Sequence, residues 1–419
     1  MGPDAVALFV GARLVTRSSD TEYPFRQDSD FLYLTGFDHP DAVAILRTDD
    51  GPAFTLFVQP REPAAETWTG HRPGIEGAKE DYGADTGLPI DKLYQELPSI
   101  IAKAATLYHA LGCDPKLDSR LVEILDDMRR RSRMGVVPSS QIVDPRSLLH
   151  EMRLKKEPGE LDQMRKAAAI TAKAHREAAR LAKAKNNERE LEAVLNYNFR
   201  RLGASGPAYG TIVGGGINAT TLHYVANDQP LADGDLVLID AGAEFEGYAS
   251  DVTRTYPVGG RFVGEKRAVY EVVLAAQERA LAECRPGNDL DAIHETALRA
   301  LVEGMLELRL VTGSVDEVVG NEAYKPYFMH RTSHWLGLDV HDVGSYTLEG
   351  QPRRLEAGMV FTVEPGLYIR PDAGDDVAAF RGIGVRIEDD VVVTKDGCEN
   401  LNTAIPKRPE EVEAWVRGA

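Results

Sequence analysis

The sequence predicts two α/β or α+β domains that are divided near residues 150–160. Its 419 residues exceed the usual size of one domain, and the content of 43% hydrophobic and 27% charged residues suits globular cores. Strand-like apolar runs alternate with helical segments along the chain. The division is placed at the basic segment 153–157, which ends at Pro158 and precedes a long stretch rich in Ala, Glu, Lys and Arg.

The N-terminal part is predicted to be mixed α/β. Apolar runs at 6–10, 42–46 and 54–58 are separated by Pro and Gly clusters, which is typical of strands bounded by turns. Two further segments, 97–107 and 119–130, have a helical pattern.

The C-terminal part continues the alternation. The composition from Pro158 to about residue 185 favours one long helix with an exposed side. A Pro286-Gly287 pair separates two later helices, and Asp289 is a suitable N-cap for the second. The remaining predicted helices lie at 187–202, 265–284 and 289–309, and the predicted β segments at 235–240, 248–256, 358–364 and 383–394.

Charge and cysteine content restrict the partners and the compartment. With 48 Lys and Arg against 66 Asp and Glu, the net charge of −18 repels phosphate backbones and anionic lipids, so neither nucleic acid nor membrane binding is expected. The three cysteines are scattered, as in a protein of the reducing cytoplasm, where we expect this chain. The apolar run 5–12 is too short to span a bilayer.

Two acidic residues lie in places where a bound metal ion would account for their negative charge. Asp240 ends the apolar run 236–239, and Asp251 lies in the next β segment. In a hairpin centred between Phe245 and Glu246 the two would face each other with their Cβ atoms ~5 Å apart, which is destabilising for like charges. Either one carboxyl is protonated or a cation lies between them. In another register, both acids would lie in solvent.

A second β pair carries two more acids. Glu364 follows the run 360–363, and Glu388 shares a strand face with Arg386. Four carboxylates and one imidazole would balance two divalent cations, and such a donor set suits Mn²⁺, Co²⁺ or Zn²⁺. Two ions ~3.5–4 Å apart can share a hydroxide nucleophile and polarise a carbonyl. The candidates for this imidazole are four histidines in two short segments, His223 in one and His330, His334 and His341 in the other.

Together these segments resemble the aminopeptidase P family of pita-bread-fold metallopeptidases. The resemblance covers nearly the whole chain; it rests on segments 17–24, 26–31, 34–37, 238–242, 333–342, 363–366 and 386–389. It implies an α+β chain: a C-terminal pita-bread catalytic domain at 156–419 follows a smaller N-terminal α/β (creatinase-like) domain at 1–155. The smaller domain is expected to serve oligomerisation and to control substrate length.

The resemblance also implies the metal centre. Asp251 and Glu388 would bridge two divalent ions, with Mn²⁺ expected and Zn²⁺ or Co²⁺ as alternatives. Asp240 would bind one ion, and His334 with Glu364 would bind the other. A hydroxide that bridges the ions would attack the peptide bond.

Further residues receive roles from the same resemblance. Glu364 would be the acid–base, His223 and His341 would hold the scissile carbonyl and its oxyanion, and Arg386 would position the acids. Tyr209 and His330 fall where the proline pocket is expected, and Arg331 follows where the family commonly has a small residue. In the N-terminal domain, Trp68 and Asp20 resemble residues that reach an active site across a subunit contact; interface packing for Trp68 and a turn for Asp20 are the alternatives.

The implied activity is that of an Xaa-Pro aminopeptidase, which removes the N-terminal residue of peptides whose second residue is proline. Such an enzyme is expected to form a homo-oligomer, either a dimer or a tetramer. Prolidase, which cleaves only Xaa-Pro dipeptides with the same site, is the main alternative. Methionine aminopeptidase typically lacks a domain such as 1–155, creatine amidinohydrolase does not rely on this ligand set, and an inactive binding protein would usually lack several ligands.

Overall fold

The computed structural model describes residues 1–102 and 104–418 and forms two compact units, Met1–His150 and Glu151–Ala419. This division lies five residues before the predicted one at 155. The physical reason is that the basic segment is not an exposed linker. The side chains of Arg153 and Lys156 are 3% and 1% exposed and form ion pairs with Asp342, so this segment packs as part of the second unit.

The first unit is built on one mixed six-stranded sheet with the strand order β6-β5-β4-β1-β7-β8. The strands of this sheet are β1 (Ala5–Val10), β4 (Val43–Arg47), β5 (Phe54–Val58), β6 (Thr86–Pro89), β7 (Thr106–His109) and β8 (Gln141–Val143), and a separate pair is formed by β2 (Thr16–Ser18) and β3 (Thr21–Glu22). The helices of the first unit are α1 (Ser29–Thr35), α2 (Pro63–Thr69), α3 (Gly74–Glu80), α4 (Leu93–Ile101) and α5 (Pro115–Arg130). Helix α6 (Arg146–Leu154) includes the division at residue 150.

The three predicted strands of this unit are confirmed as β1, β4 and β5. The helix predicted at 97–107 is wrong at its end, because α4 stops at Ile101 and residues 106–109 form β7. This short segment pairs in parallel with the central strand β1, and that pairing overrides its local pattern. Helix α5 begins where the Asp114 side chain accepts hydrogen bonds from two backbone N–H groups of the first turn.

The second unit combines long helices with several small antiparallel sheets. Its helices are α7 (Pro158–Ala179), α8 (Glu188–Arg201), α9 (Gly264–Ala282), α10 (Leu290–Glu307), α11 (Val315–Gly320) and α12 (Pro409–Arg417). Its strands are β9 (Gly206–Pro207), β10 (Ile212–Gly215), β11 (Leu236–Asp240), β12 (Ala243–Phe245), β13 (Tyr248–Ala249), β14 (Thr253–Pro257), β15 (Thr347–Leu348), β16 (Gln351–Pro352), β17 (Val360–Val363), β18 (Gly366–Ile369), β19 (Ile383–Arg386), β20 (Asp389–Val393) and β21 (Cys398–Asn400).

The predicted helices of this unit are confirmed within a few residues, and the long first helix ends at Ala179. The predicted β segments 235–240 and 358–364 are confirmed as β11 and β17, whereas 248–256 and 383–394 are each divided into two short strands by the residues around Asp251 and Glu388. The sheets have the orders β10-β11-β14, β13-β12-β9 and β17-β20-β21, with β18-β19 and β15-β16 as two-stranded pairs. The α+β class predicted for the chain is thus confirmed. Among the described residues, no helix has the length and apolar character that crossing a bilayer requires.

The hairpin that carries the first acid pair exists, but its predicted register is wrong by two residues. Asp240 pairs with Thr253 and Phe245 with Tyr248, so the turn is centred between Glu246 and Gly247. Both turn residues have positive φ, 50° and 81°, which suits this glycine far better than the bulky Phe245 of the predicted turn. A shift of two residues leaves every side chain on its predicted face.

Candidate metal centre and active site

The structure brings all the predicted site residues of the second unit to one cavity of about 470 Å³. They are Tyr209, His223, Asp240, Asp251, His330, His334, His341, Glu364, Arg386 and Glu388. Apolar side chains, among them Leu222 and Val340, complete the wall.

Strand ends deliver the acids to this cavity. Asp240 ends β11, Asp251 lies just before β14, and Glu364 lies just after β17. Glu388 stands between β19 and β20, and its backbone N–H donates to the Thr253 carbonyl at 3.0 Å. This backbone hydrogen bond joins the segments of Asp251 and Glu388, which are more than a hundred residues apart in the chain.

Backbone pairing also fixes the segment of His334 against β17. The Thr362 N–H donates to the His334 carbonyl at 3.0 Å, and the Glu364 N–H donates to the Thr332 carbonyl at 2.8 Å. The imidazole and the Glu364 carboxylate therefore project from adjacent, paired segments into the same cavity.

Three side chains form the tightest group of possible metal ligands among the described residues. Asp251, His334 and Glu388 each offer one ligand atom, and these atoms all lie within 4.8 Å of one another. His334 Nε2 lies 3.4 Å from Asp251 Oδ2 and 3.5 Å from Glu364 Oε1, which extends the group to a fourth residue. This arrangement can hold a divalent cation through one imidazole and several carboxylates.

The His334 ring is oriented as a metal ligand would be. Its Nδ1–H donates to the Trp335 carbonyl at 3.0 Å, which leaves Nε2 directed at the carboxylates, where it can bind a metal once it is deprotonated. Although burial opposes its charge, the carboxylates of Asp251 and Glu364 raise the pKa of His334 to about 9. The ring therefore faces a strongly negative environment that a cation would also relieve.

Asp240 lies in the same cavity with both carboxylate oxygens already hydrogen-bonded. Oδ1 accepts from the Tyr209 hydroxyl and Oδ2 from an Arg386 N–H, each at 2.6 Å. Each oxygen retains a second lone pair, so these bonds orient the carboxylate and leave it able to bind a cation.

The electrostatics of the buried acids favour a cation. Burial raises the pKa of Glu364 to about 7 and also raises the pKa of Asp240 and of Glu388, and in each case neighbouring carboxylates add to the effect. Arg386 is the one cationic side chain that the described residues place against Asp240. The donor set therefore fits divalent cations, which would compensate the remaining negative charge.

Two histidines stand at the cavity with exposed rings. His341 packs edge to face against His334, with ring centroids 4.4 Å apart, and burial lowers its pKa. His223 lies in the segment after β10 and lines the same cavity. Imidazole N–H groups at these places can donate hydrogen bonds to a substrate oxygen.

A hydrogen-bonded chain links His330 to Arg386. An Arg386 N–H donates to the Tyr368 oxygen at 2.9 Å, and the Tyr368 hydroxyl is 2.9 Å from His330 Nε2. The His330 Nδ1–H donates to the Arg331 carbonyl at 2.8 Å, so Nε2 is the acceptor. Burial lowers the pKa of His330 to about 4, in agreement with a neutral ring.

Sequence reasoning missed several polar side chains that hold these ligands. The Thr253 hydroxyl donates to Glu388 Oε2 at 2.6 Å, and the Thr362 hydroxyl lies 3.4 Å from Glu364 Oε1. Asp390 accepts from the Asp251 N–H at 3.1 Å, and Tyr368 completes the chain above. The one signal in the sequence is that each of them lies two to four residues from a predicted ligand. Thr253 is also paired with Asp240 in the neighbouring strand.

The two predicted residues of the first unit lie on its surface. Trp68 is in α2 with 88% of its surface exposed, and Asp20 is exposed in the turn between β2 and β3. A side chain as large and apolar as Trp68 is rarely this exposed in an isolated domain.

Comparisons with known proteins identify the family. Residues 162–395 match metallopeptidase family M24, and residues 1–108 match the aminopeptidase P N-terminal domain. The chain is 44% identical to the Xaa-Pro aminopeptidase of Escherichia coli (strain K12), over 100% of this chain and 95% of that protein.

Solved structures are equally similar. An aminopeptidase from Pseudomonas aeruginosa has a TM-score of 0.97 at 46% identity, covering 100% of this chain and 95% of that one. Zinc-substituted E. coli aminopeptidase P in complex with product has a TM-score of 0.96 at 44% identity, with the same coverage. The pita-bread fold expected for the catalytic domain is therefore confirmed. The chain belongs to metallopeptidase family M24, with an aminopeptidase P N-terminal domain, and is a hydrolase of the metallo-aminopeptidase type.

Proposed function

We propose that the chain is an Xaa-Pro aminopeptidase that uses two divalent cations, with Mn²⁺ as the native metal. The observation that carries this proposal is the convergence of Asp251, His334 and Glu388, whose ligand atoms lie within 4.8 Å of one another. Glu364 and Asp240 line the same cavity and would complete the ligand set. Oxygen-rich donors with one imidazole are typical of Mn²⁺, Co²⁺ and Zn²⁺ sites rather than of sites for soft metals.

When bound, the cations would supply an activated water and an electrophile for the scissile carbonyl. The protein side chains would supply proton transfer and orientation. Glu364, with a pKa of about 7 before a metal is bound, is suited to accept a proton from water and return it to the leaving nitrogen. His223 and His341, at the exposed side of the cavity, would donate hydrogen bonds to the carbonyl oxygen as it becomes negative.

Arg386 would keep the acids in place during the reaction. Its guanidinium donates to Asp240, to Tyr368 and to the Thr253 hydroxyl at 2.6–2.9 Å, and its side chain is 5% exposed. A group held by three partners is a positioning residue for the metal ligands rather than a partner of the substrate.

Selectivity for proline would depend on shape. A peptide bond to proline has no N–H, so the site must accept the ring rather than satisfy a donor. Tyr209 and His330 line the cavity beside apolar residues such as Val340, and we assign the proline pocket to them.

The N-terminal unit would serve assembly. We assign the exposed Trp68 and the exposed Asp20 to a subunit contact in a dimer or tetramer, where they would reach a neighbouring active site and limit substrate length. We also propose a cytoplasmic location, on the scattered cysteines, which are free in this structure.

The test is hydrolysis of Ala-Pro, Ala-Pro-Ala and Ala-Ala-Ala by the purified protein with added Mn²⁺. The proposal predicts cleavage of the first bond of Ala-Pro-Ala and little cleavage of Ala-Ala-Ala. Cleavage of Ala-Pro alone would show a prolidase instead, and equal cleavage of all three would contradict proline selectivity.

A matched pair of variants separates the metal centre from a general loss of charge. Asp251→Asn should abolish turnover, whereas Asp316→Asn, which changes an acid whose side chain is 83% exposed, should retain it. Full activity in the Asp251 variant would refute the proposed site.

A further inference from the structure

Two arginines line the cavity among the residues that the structure describes, and they differ in their availability to a substrate. Arg386 is buried and its nitrogens are bound to Asp240, Tyr368 and Thr253. Arg331 has a side chain that is 58% exposed, and it lies at the cavity one residue after His330. A substrate anion can therefore reach the Arg331 guanidinium but not that of Arg386.

The partner that Arg331 has in this structure is weakly held. Its guanidinium pairs with Asp291, in the first turn of α10, and the Asp291 side chain is 60% exposed. An exposed ion pair of this kind contributes little, because water and salt screen it and both side chains lose freedom. Arg331 can therefore exchange this partner for a carboxylate on a bound peptide.

The position of Arg331 is fixed from its backbone. Its carbonyl accepts the His330 Nδ1–H at 2.8 Å, and His330 is in turn bonded to the buried Tyr368. The start of the side chain is thus anchored to the wall of the cavity while its charged end remains in solvent. With both cations bound, the charge of the four acids in the cavity would be compensated, so Arg331 would be an exposed positive side chain available to a substrate carboxylate.

We infer that Arg331 selects peptides that carry a carboxylate on the C-terminal side of the proline. This inference rests on the proposed function and adds a substrate class to it. The carboxylate has two sources: the C-terminus of a short peptide, or an acidic side chain at the third position. In both cases one guanidinium at the cavity would bind one carboxylate with the planar geometry that arginine favours.

The experiment compares matched substrates at low salt. Ala-Pro-Ala against its C-terminal amide tests the terminal carboxylate, and Ala-Pro-Asp amide against Ala-Pro-Asn amide tests the acidic side chain. We expect kcat/KM to be about three- to tenfold higher for the charged member of at least one pair, and the ratio to fall as ionic strength rises. The pair that responds identifies the source.

Three variants test whether the ratio of kcat/KM between charged and uncharged substrates depends on Arg331. Arg331→Ala should reduce it to about one, and Asp291→Asn should raise it by removing the competing carboxylate. Arg299→Ala is the matched control, since this arginine of α10 also forms exposed ion pairs but does not line the cavity, and it should leave the ratio unchanged.

The results separate the two proposals. Ratios near one in the native protein, or ratios that persist in Arg331→Ala, overturn the role of Arg331 while the peptidase activity stands. Absence of cleavage of every proline peptide in the presence of Mn²⁺ overturns the proposed function itself.

Discussion

Replacing Asp342 by Asn tests how the segment that carries His341 is held. This segment, residues 336–344, has no helix or strand of its own. Asp342 Oδ1 accepts from Arg153 at 2.6 Å and Oδ2 from Lys156 at 2.9 Å, and the three side chains are 1–3% exposed. The buried carboxylate therefore fixes the residue next to His341 to the end of α6 and the residues that follow it, 153–156.

The expected loss of stability is large because Lys156 stays buried without the carboxylate it is paired with, and Arg153, which keeps Asp339, loses one of its two acids. Breaking a buried ion pair costs about 3–5 kcal/mol in the free energy of unfolding. For a unit of this size, that corresponds to a fall in melting temperature of roughly 6–20 °C. Displacement of His341 should also lower kcat/KM by about 10²-fold, the effect of a misplacement near 1 Å.

Thermal unfolding followed by circular dichroism, together with kcat/KM on Ala-Pro-Ala, measures both effects. Lys155→Met is the control, because Lys155 pairs with Glu356 at 2.5 Å with 44% and 51% of their side chains exposed. That variant should lose less than about 1 kcal/mol. An Asp342→Asn protein as stable as this control would refute the reasoning on stability, and unchanged kcat/KM would refute the positioning of His341.

Three further predictions concern buried polar groups. Burial lowers the pKa of His175 to about 4, whereas the same side chain in the unfolded chain has a pKa of about 6.5. As the pH falls from 6.5 to 4 the unfolded chain therefore binds the proton first, and the free energy of unfolding should fall by up to about 3 kcal/mol. In pH-dependent denaturation, His175→Gln should lack this fall in stability. The buried Glu188 accepts four hydrogen bonds, so Glu188→Gln should cost about 1–3 kcal/mol in urea unfolding, and no loss would contradict its structural role. Tyr368→Phe removes an acceptor from Arg386 and the hydroxyl that faces His330, and should lower kcat/KM about 10–100-fold with the fold intact; activity equal to the native protein would exclude this network from the site.

The sequence was sufficient for the positions of most helices and strands, because their signals are local. The Asp289 cap of α10 is an example, as is the Pro286-Gly287 break between α9 and α10. The hairpin register was missed because the decisive feature is positive φ at Glu246 and Gly247. That feature depends on the backbone twist of the paired strands as well as on the residues themselves.

The candidate site was predictable only in part from residue patterns. Acids at strand ends were visible, but the contact of Glu388 with Thr253 joins residues 135 positions apart, and no local pattern encodes such a contact. The resemblance to a family supplied this missing step. Tyr368 was missed because a tyrosine in a buried strand has the same pattern as an ordinary core residue, and only its hydrogen bonds to Arg386 and His330 distinguish it.

The most direct test of the metal centre is the metal content of the protein after saturation with Mn²⁺ and removal of free ions, measured by inductively coupled plasma mass spectrometry. The account predicts two ions per chain in the native protein and a loss of bound metal in Asp251→Asn, because this carboxylate belongs to the group of ligand atoms within 4.8 Å. A fully active native protein with less than one ion per chain, or an Asp251→Asn protein that retains two, would contradict it.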